Sequence, residues 1–557
     1  MTELLVVLVS ALVVIAAATV LGPRLGLASP LVLVAVGVAA SFLPVFGSAH
    51  IEPAWILEGV LPPLLYSSAV TLPAMNFRRE FGAIGGLSVL LVVGSALGLG
   101  LFFMLVLPGL GFGWGVALGA VISPTDAVAT SIVRQTSVSK RVVAILDGES
   151  LLNDATALVV LRTAIVAAGA SSSFSFGSAV GSFAYSVVVA VVVGGVVGRA
   201  NLAVRRRVTD PGVNTVISFA VPFLAAVPAD LLGGSGLVAA VVAGLVTGVR
   251  APRDLSPQHR LSDAQNWRTV ELVLEGAVFL TMGIQIKAIV TNVERDHAGV
   301  GAAVLVAAGA LVLTVLLRAA YVAPLLALLA ARARRIEATR TRVQGMHERM
   351  GTPEGQQETF AEVRRSRRPA SERDLERFAH RITQVLADIE YFLRAPLGWR
   401  DGTAVVWAGM RGAVTVAAAQ TLPDDTPQRS VLVLVAFAVA VLSLLVQGGT
   451  VGPLLRRLAP VTEPGAGDPE LAGERARLVE VMRTSAQSVP APPRPDEPSA
   501  EGFRAAKEHR LAVIAAQRSA LLDARDNGTF DADVLEDALA GLDAAQIAIE
   551  VRGTPTG

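Results

Sequence analysis

Long uninterrupted runs of apolar residues dominate the chain, and short polar segments separate them. Runs such as Leu4–Val20 and Gly85–Val106 are long enough, at about 1.5 Å of rise per residue, to cross about 30 Å of hydrocarbon. No small-residue cleavage pattern follows the first run, so we expect it to be retained as a span. The pattern predicts thirteen spans, near residues 3–22, 27–46, 54–72, 84–107, 114–134, 142–168, 178–200, 212–228, 232–249, 270–290, 299–330, 402–421 and 428–450.

The basic residues of the connecting loops predict the orientation of these spans. Lys and Arg accumulate in short cytoplasmic loops, and here they follow the odd-numbered spans, as at Arg78, Arg79 and Arg205–Arg207. A loop after an even-numbered span, such as Pro108–Gly113, contains neither residue. The pattern therefore predicts a multi-pass protein of the cell inner (plasma) membrane with its N-terminus outside and its C-terminus in the cytoplasm.

Two polar segments interrupt or follow the spans, both on the predicted cytoplasmic side. We expect them to be mostly helical, with helices at Ala331–Arg342, Glu362–Phe392, 501–525 and 531–551. Whether they regulate, dimerise or only tolerate their positions stays open. The predicted organisation is a transmembrane region at 1–330, a charged insert at 331–399, two last spans at 400–456 and a C-terminal tail at 457–557.

Composition agrees with a bilayer environment and excludes several classes of function. The chain is 53% hydrophobic and 17% charged, with a mean hydropathy of +0.58, which departs from soluble globular averages. A net charge of +1 gives no sign of a nucleic-acid partner, and the absence of cysteine excludes disulfides and thiolate metal sites. No HExxH, P-loop or GxSxG motif occurs among the spans, so we do not expect an enzyme.

The sixth span carries a polar face, which is expensive inside a membrane and therefore indicates function. At about 100° per residue, Glu149, Ser150, Asn153 and Asp154 fall within about 140° of one another. Ser150 and Asp154 stand one helical turn apart and offer oxygen ligands to a monovalent cation. Asn153 is placed to orient the carboxylate or to join the helix packing.

The fifth and twelfth spans are each predicted to break near the middle. Pro124 removes a backbone donor, and Asp126 follows where a carboxylate can cap the second half-helix or bind a cation directly. In the twelfth span, Gly409 and Gly412 flank Arg411. Broken helices near the bilayer midplane are typical of transporters, and two spans seven apart run in opposite directions, which indicates inverted repeats.

The remaining charges inside spans require partners, because an unpaired buried charge is costly. We predict that Glu149 pairs with Arg318 and that Glu275 pairs with Arg411. For Arg162 the pattern suggests no partner.

The string Gly148–Ala155, which reads GESLLNDA, resembles the signature of the NhaP/NHE-type sodium/proton antiporters of the cation/proton antiporter-1 family. The resemblance extends over about residues 1–330 and 396–456. Further strings support it, at Ser123–Ala127, Leu61–Leu65, Leu274–Gly283 and Met410–Val414.

The resemblance implies a homodimer of thirteen-span protomers with inverted repeats and two crossed broken helices, acting without a cofactor. It implies that Asp154 holds either the cation or the proton, that Ser150 and the Thr125 carbonyl help to bind the cation, and that Asp126 supports the site. The pair of Glu149 and Arg318 would be structural. The neighbouring Asn153 and Asp154 would go with electroneutral exchange of one cation for one proton.

One departure concerns the third span, where many members carry an acidic residue and this chain has Ser67. The expected function is exchange of sodium for protons, with potassium or lithium as alternative cations. A cation channel and a membrane sensor with a cytoplasmic output tail are the competing hypotheses. Paired broken helices favour alternating access over a continuous pore.

Overall fold

The computed structural model describes residues 2–24, 28–43, 52–126, 128–134, 136, 138–169, 176–296, 299–349, 352, 354–355, 357–359, 371–458, 469–492 and 500–551. Most of two predicted outer loops, at 47–53 and 169–176, lies outside these residues. So do the predicted start of the second insert helix, at 362–370, and most of the Pro-rich segment before the last two helices.

Helices form the regular structure throughout the described residues, where no strand occurs. Wider helical turns of the π type lie at Trp55–Val60, Gly86–Leu91 and Leu444–Gly448. The α-helices are α1 Thr2–Arg24, α2 Ser29–Ala40, α3 Leu61–Thr71, α4 Ala74–Gly85, α5 Val92–Val106, α6 Phe112–Ile122, α7 Val128–Arg134, α8 Lys140–Gly169, α9 Phe176–Arg205, α10 Pro211–Leu231, α11 Gly236–Asp254, α12 Pro257–Ile284, α13 Ile286–Arg295, α14 Val300–Arg349, α15 Glu372–Arg394, α16 Trp399–Trp407, α17 Ala413–Gln420, α18 Arg429–Ser443, α19 Gly449–Leu458, α20 Pro469–Gln487, α21 Ala500–Asn527 and α22 Ala532–Val551.

Nine helical stretches of the described chain are long and apolar enough to cross a membrane. The apolar helices α2 and α6 are shorter, and α6 continues beyond a break as α7. The predicted all-α polytopic membrane fold is confirmed, whereas the number of thirteen spans stays a prediction.

The chain divides into two compact units. The first, called the membrane unit here, comprises Met1–Asp254, Ser262–Leu326 and Leu397–Pro460. The second, the appendage unit, comprises Leu255–Leu261, Ala327–Pro396 and Val461–Gly557. The helix α14 belongs to both, because it continues without interruption from the apolar block to Arg349, seven residues beyond the first predicted insert helix.

Small residues let the helices of the membrane unit approach closely. A Cβ atom added to Gly115 would lie 2.5 Å from the Gly100 carbonyl oxygen, and one added to Gly119 would lie 2.4 Å from that of Ala96. Such contacts are characteristic of helix packing in lipid, where hydrophobic transfer does not drive association. They hold α6 against α5.

Apolar packing fixes the rotation of α8, the helix with the polar face. Leu151 and Ala155 of α8 are buried against Leu61 and Leu65 of α3 and Val241 of α11. The packing therefore holds α8 against α3 and α11.

The appendage unit has a hydrophobic core of its own. Leu478 of α20, Ile514 and Leu521 of α21, and Leu535 and Leu542 of α22 form it. The insert joins this tail bundle, since His380 of α15 lies 2.9 Å from the Asn527 amide oxygen. Arg260, in the first turn of α12, donates to the Asp543 carboxylate, which also accepts from Arg518 at 2.8 Å. Insert and tail thus form one helical bundle.

Candidate ion-binding site

The first break lies between α6 and α7, where the sequence places Pro124. The helix ends at Ile122 and resumes at Val128. The backbone amide of Asp126 donates to the Met410 carbonyl at 2.7 Å, and an Asp126 carboxylate oxygen accepts from the Val128 amide at 3.2 Å. Asp126 therefore caps α7 and fastens the first break to the second.

The second break lies between α16 and α17, around Arg411. The Arg411 guanidinium donates to the carbonyls of Ile122 at 3.0 Å and Ser123 at 3.4 Å, and its backbone amide donates to the Ser443 hydroxyl at 2.9 Å. The last carbonyls of a helix lack intrahelical donors and carry partial negative charge. Arg411 thus satisfies the end of α6 from the opposite broken helix.

The Asp126 carboxylate also lies against the first turn of α17. A Cβ atom added to Gly412 would lie 1.8 Å from the second carboxylate oxygen of Asp126. Because α7 and α17 both begin beside this carboxylate, the positive ends of two half-helices converge on one negative charge. The absence of a side chain at Gly412 makes this approach possible.

A buried ion pair ties the polar face of α8 to neighbouring helices. Arg318 of α14 donates to both carboxylate oxygens of Glu149, and its Nε donates to the Val405 carbonyl of α16 at 2.8 Å. Glu149 also accepts from the Thr125 hydroxyl at 3.3 Å. The structure therefore brings together this predicted pair and supplies further hydrogen bonds to the buried charges, as burial requires.

Asn153 connects α8 to the first break. Its side chain is fully buried and donates to the Thr125 hydroxyl at 2.6 Å and to the Thr125 carbonyl at 3.3 Å. It joins the helix packing and contacts the non-helical segment before Asp126. The Thr125 carbonyl keeps a second lone pair that can serve a cation.

A cavity of about 110 Å³, called the narrow cavity here, gathers the predicted ligands. Asp154 and Ser150 line it one helical turn apart, and Ser150 donates to the Asp147 carbonyl at 3.1 Å. All of the polar side chains that line it present oxygen, the ligand type that alkali cations take in proteins. The lining residues with polar groups include Thr125, Asp126, Ser150, Asp154, Glu271 and Glu275.

The predicted pair of Glu275 and Arg411 does not form. Glu275 lines the narrow cavity with Asp154, whereas Arg411 is engaged by the carbonyls at the two breaks. The spacing along the chain cannot fix which way α12 is rotated, and the structure turns Glu275 toward the cavity. Arg162 lies 3.7 Å from Asp230, and both side chains are largely exposed.

Three polar residues of this region were missed by the sequence analysis. Ser443 donates to Gln447 at 2.6 Å, and Gln447 donates to the Trp407 carbonyl at 3.2 Å, so both stabilise the second break. Their spacing of four residues within an apolar span is the signal that predicts a polar face. Glu271 gives the same signal, because it precedes Glu275 by four residues.

Two broken helices joined at their breaks, with a carboxylate-lined cavity beside them, define an ion-coupled secondary transporter. The family of transmembrane sodium/hydrogen exchangers matches residues 8–360 and 375–457, so the chain belongs to that family. It is a cation/proton antiporter of the NhaP/NHE type and a transporter, not an enzyme; the reaction of this family involves only the transported ions.

Relatives and a solved structure agree with this assignment. An uncharacterised Na⁺/H⁺ exchanger of Mycobacterium tuberculosis is 25% identical over 98% of this chain and 96% of the relative. The Na⁺/H⁺ antiporter ApNhaP of Aphanothece halophytica is 24% identical over 83% of this chain and 76% of its own. The structure of the sodium proton antiporter MjNhaP1 of Methanocaldococcus jannaschii is 15% identical and covers 82% of this chain and 99% of its own, with a TM-score of 0.54, so it shows the same fold.

Proposed function

We propose that the protein exchanges a monovalent cation, sodium in the first instance, for protons at Asp154, electroneutrally and by alternating access. The observation that carries this proposal is the narrow cavity, in which Asp154 and Ser150 of α8 face the Thr125 backbone at the first break. Three other carboxylates, those of Asp126, Glu271 and Glu275, line this space, and that of Asp126 caps α7.

The coupling follows from the cost of leaving Asp154 without a counter-charge. A carboxylate withdrawn from water is costly unless it is neutralised by a proton or paired with a cation. Asp154 therefore crosses between the two sides in either of these states, and the two ions compete for it. Ser150 and the Thr125 carbonyl complete the cation ligands, while Asn153 and Asp126 hold the break in place.

Potassium is the second candidate cation. A relative from Bacillus subtilis, 29% identical over 48% of this chain and 41% of its own, is named a sodium, potassium, lithium and rubidium/H⁺ antiporter. The ligands around Asp154 are all oxygens, which bind each of these cations. Selectivity is therefore set by the size of the loaded site and not by the type of ligand.

The proposed setting is the plasma membrane, with the N-terminus outside and the appendage unit in the cytoplasm, as the basic loops indicate. We also propose a homodimer embedded in lipid, in which the dimer contact stays fixed while the helices around Asp154 move.

The test compares the wild-type protein with Asp154→Asn in lipid vesicles that contain a pH-sensitive dye. After a proton gradient is imposed, sodium, potassium or lithium is added, and the membrane voltage is clamped with an ionophore in parallel samples. Asp424→Asn serves as the matched control, because the Asp424 side chain is fully exposed and lies outside the narrow cavity.

We expect cation-dependent proton movement in the wild type and the control, loss in Asp154→Asn, and no effect of the voltage clamp. The cation series would then identify the substrate. Equal movement in Asp154→Asn, or none with any cation in the wild type, would contradict the proposal and favour the channel or sensor hypotheses. A rate that follows the clamped voltage would contradict electroneutral exchange alone.

A further inference from the structure

Glu271 of α12 stands between two cavities of the membrane unit. It lines the narrow cavity that contains Asp154 and also a larger cavity of about 660 Å³, called the wide cavity here. Glu275, one turn further along α12, lines both cavities as well. The two carboxylates therefore form the wall that the cavities share.

The wide cavity is not uniformly attractive to a cation. Arg268 and Arg456 line it together with the two glutamates and with polar side chains such as Thr19 and Thr136. A cation that enters meets both signs of charge, and the two glutamates also line the cavity that contains Asp154. Charge in a confined cleft raises the local concentration of counter-ions.

A hydrogen bond from another helix holds Glu271 in this position. The Ser67 hydroxyl of α3 donates to a Glu271 carboxylate oxygen at 3.4 Å, and Ser67 is buried. Glu271 is half-buried, so one oxygen is anchored while the carboxylate still faces the cavities. Ser67 of α3 thus orients the carboxylate of Glu271, which belongs to α12.

We propose that Glu271, oriented by Ser67, receives the monovalent cation between the wide cavity and Asp154 and so sets the apparent affinity for the cation. The proposal rests on the proposed exchange at Asp154 and deepens it. Glu271 lies on the path of the cation, and Asp154 alone exchanges cation for proton. Losing the charge at Glu271 should therefore change KM and leave the maximal rate nearly unaltered.

The experiment measures proton movement against cation concentration in the same vesicles for the wild type, Glu271→Gln, Ser67→Ala and the double variant. Glu294→Gln is the matched control, since Glu294 is exposed and lies one helix further along, in α13. We expect Glu271→Gln to raise KM about tenfold, at the lower end of the effect of a charged cleft on local ion concentration. Ser67→Ala should raise KM by a smaller factor, and it should have no effect in the Glu271→Gln background.

Two further measurements separate ion attraction from a merely structural role. Glu271→Asp keeps the charge and should bring KM back toward the wild-type value. Raising the concentration of an impermeant salt, N-methylglucamine chloride, should raise the wild-type KM toward that of Glu271→Gln, because added ions screen the attraction.

An unchanged KM in a properly assembled Glu271→Gln, with wild-type exchange that still vanishes in Asp154→Asn, would overturn this inference and leave the proposed function intact. A wild type without cation-dependent proton movement would overturn the proposed function instead. If Glu271→Gln does not assemble, the Glu271→Asp variant and the salt dependence decide, and a wild-type KM that ignores salt counts against the inference.

Discussion

Gly412 shows how a single missing side chain shapes the site. The Asp126 carboxylate occupies the space that a Cβ atom at this position would take. The carboxylate therefore reaches the first turn of α17 while it still caps α7. Sequence analysis identified Gly412 as a helix breaker and Asp126 as a cap or a ligand, but the contact between them depends on how the two broken helices meet.

Gly412→Ala should displace Asp126 and reduce cation-dependent proton movement at least tenfold, because the contact of 1.8 Å cannot be relieved without moving the carboxylate. Proton flux in vesicles measures the effect. Gly94→Ala is the control, since a Cβ atom at Gly94 meets nothing within 4 Å and alanine favours a helix by about 1 kcal/mol. Full activity in Gly412→Ala would show that the position of Asp126 is unimportant.

The raised pKa of Glu536 makes the stability of the appendage unit depend on pH. Desolvation, followed by the charge of Asp533, raises the pKa of Glu536 to about 7 from its ordinary value of 4.5. At a pH between these two values, Glu536 therefore keeps its proton in the folded unit but has lost it in the unfolded chain. Its contribution to stability is present below about pH 4.5 and is lost as the pH rises toward 7.

Hydrogen exchange of α22 at pH 5.5 and pH 7.5, corrected for the intrinsic rate, tests this expectation. Protection of the wild type should be lower at pH 7.5, by a modest factor because the side chain reaches solvent and water screens its neighbours. In Glu536→Gln the difference should shrink. A pH dependence that is equal in both proteins would assign it to other groups.

At the level of helices, the buried pair of Glu149 and Arg318 joins α8, α14 and α16. Removing one partner leaves the other charge uncompensated and should lower the free energy of unfolding by about 3–5 kcal/mol. We expect Glu149→Gln to lower Tm in detergent, as followed by intrinsic fluorescence. In the double variant Glu149→Gln with Arg318→Met the loss should be smaller than in Glu149→Gln alone, and a larger loss would contradict this reasoning.

The spans and the helix breaks could largely be predicted from the sequence, because each depends on residues that are close together in the chain. Apolar run lengths located the spans, and Pro124 and the glycines beside Arg411 located the breaks. The partners of Arg411 could not be predicted, since they are backbone carbonyls at the two breaks, and the position of Glu275 depends on the rotation of α12, which packing decides. Glu271 was missed for a related reason, because its role follows from Ser67 on a distant helix.

For the whole molecule, the three separate segments that form the appendage unit constrain the path of the chain through the membrane. Its three segments, Leu255–Leu261, Ala327–Pro396 and Val461–Gly557, pack together and must lie on one side of the membrane. An even number of crossings is therefore required between each pair of consecutive segments. The predicted spans ten and eleven, and then twelve and thirteen, meet this requirement independently of the positive charges in the loops.

Because the insert and the tail share one bundle, removing the tail should expose the insert. A chain that ends at residue 460 loses Asn527 and Asp526, the partners of His380 and Gln384. We expect limited proteolysis in detergent to cleave α15 in this variant at least tenfold faster than in the full chain, while the spans stay protected. Equal cleavage rates would show that the insert folds independently of the tail.

The division of the appendage unit among three separated segments also sets an order for biosynthesis. Asp543, which binds Arg260 and Arg518, follows all of the predicted spans in the chain. The helices α16 to α19 must therefore be inserted by the translocon before the bundle around Asp543 can close. A nascent chain that stalls before α22 would lack part of the bundle against which the insert packs. A completed bundle therefore indicates that every predicted span has been inserted.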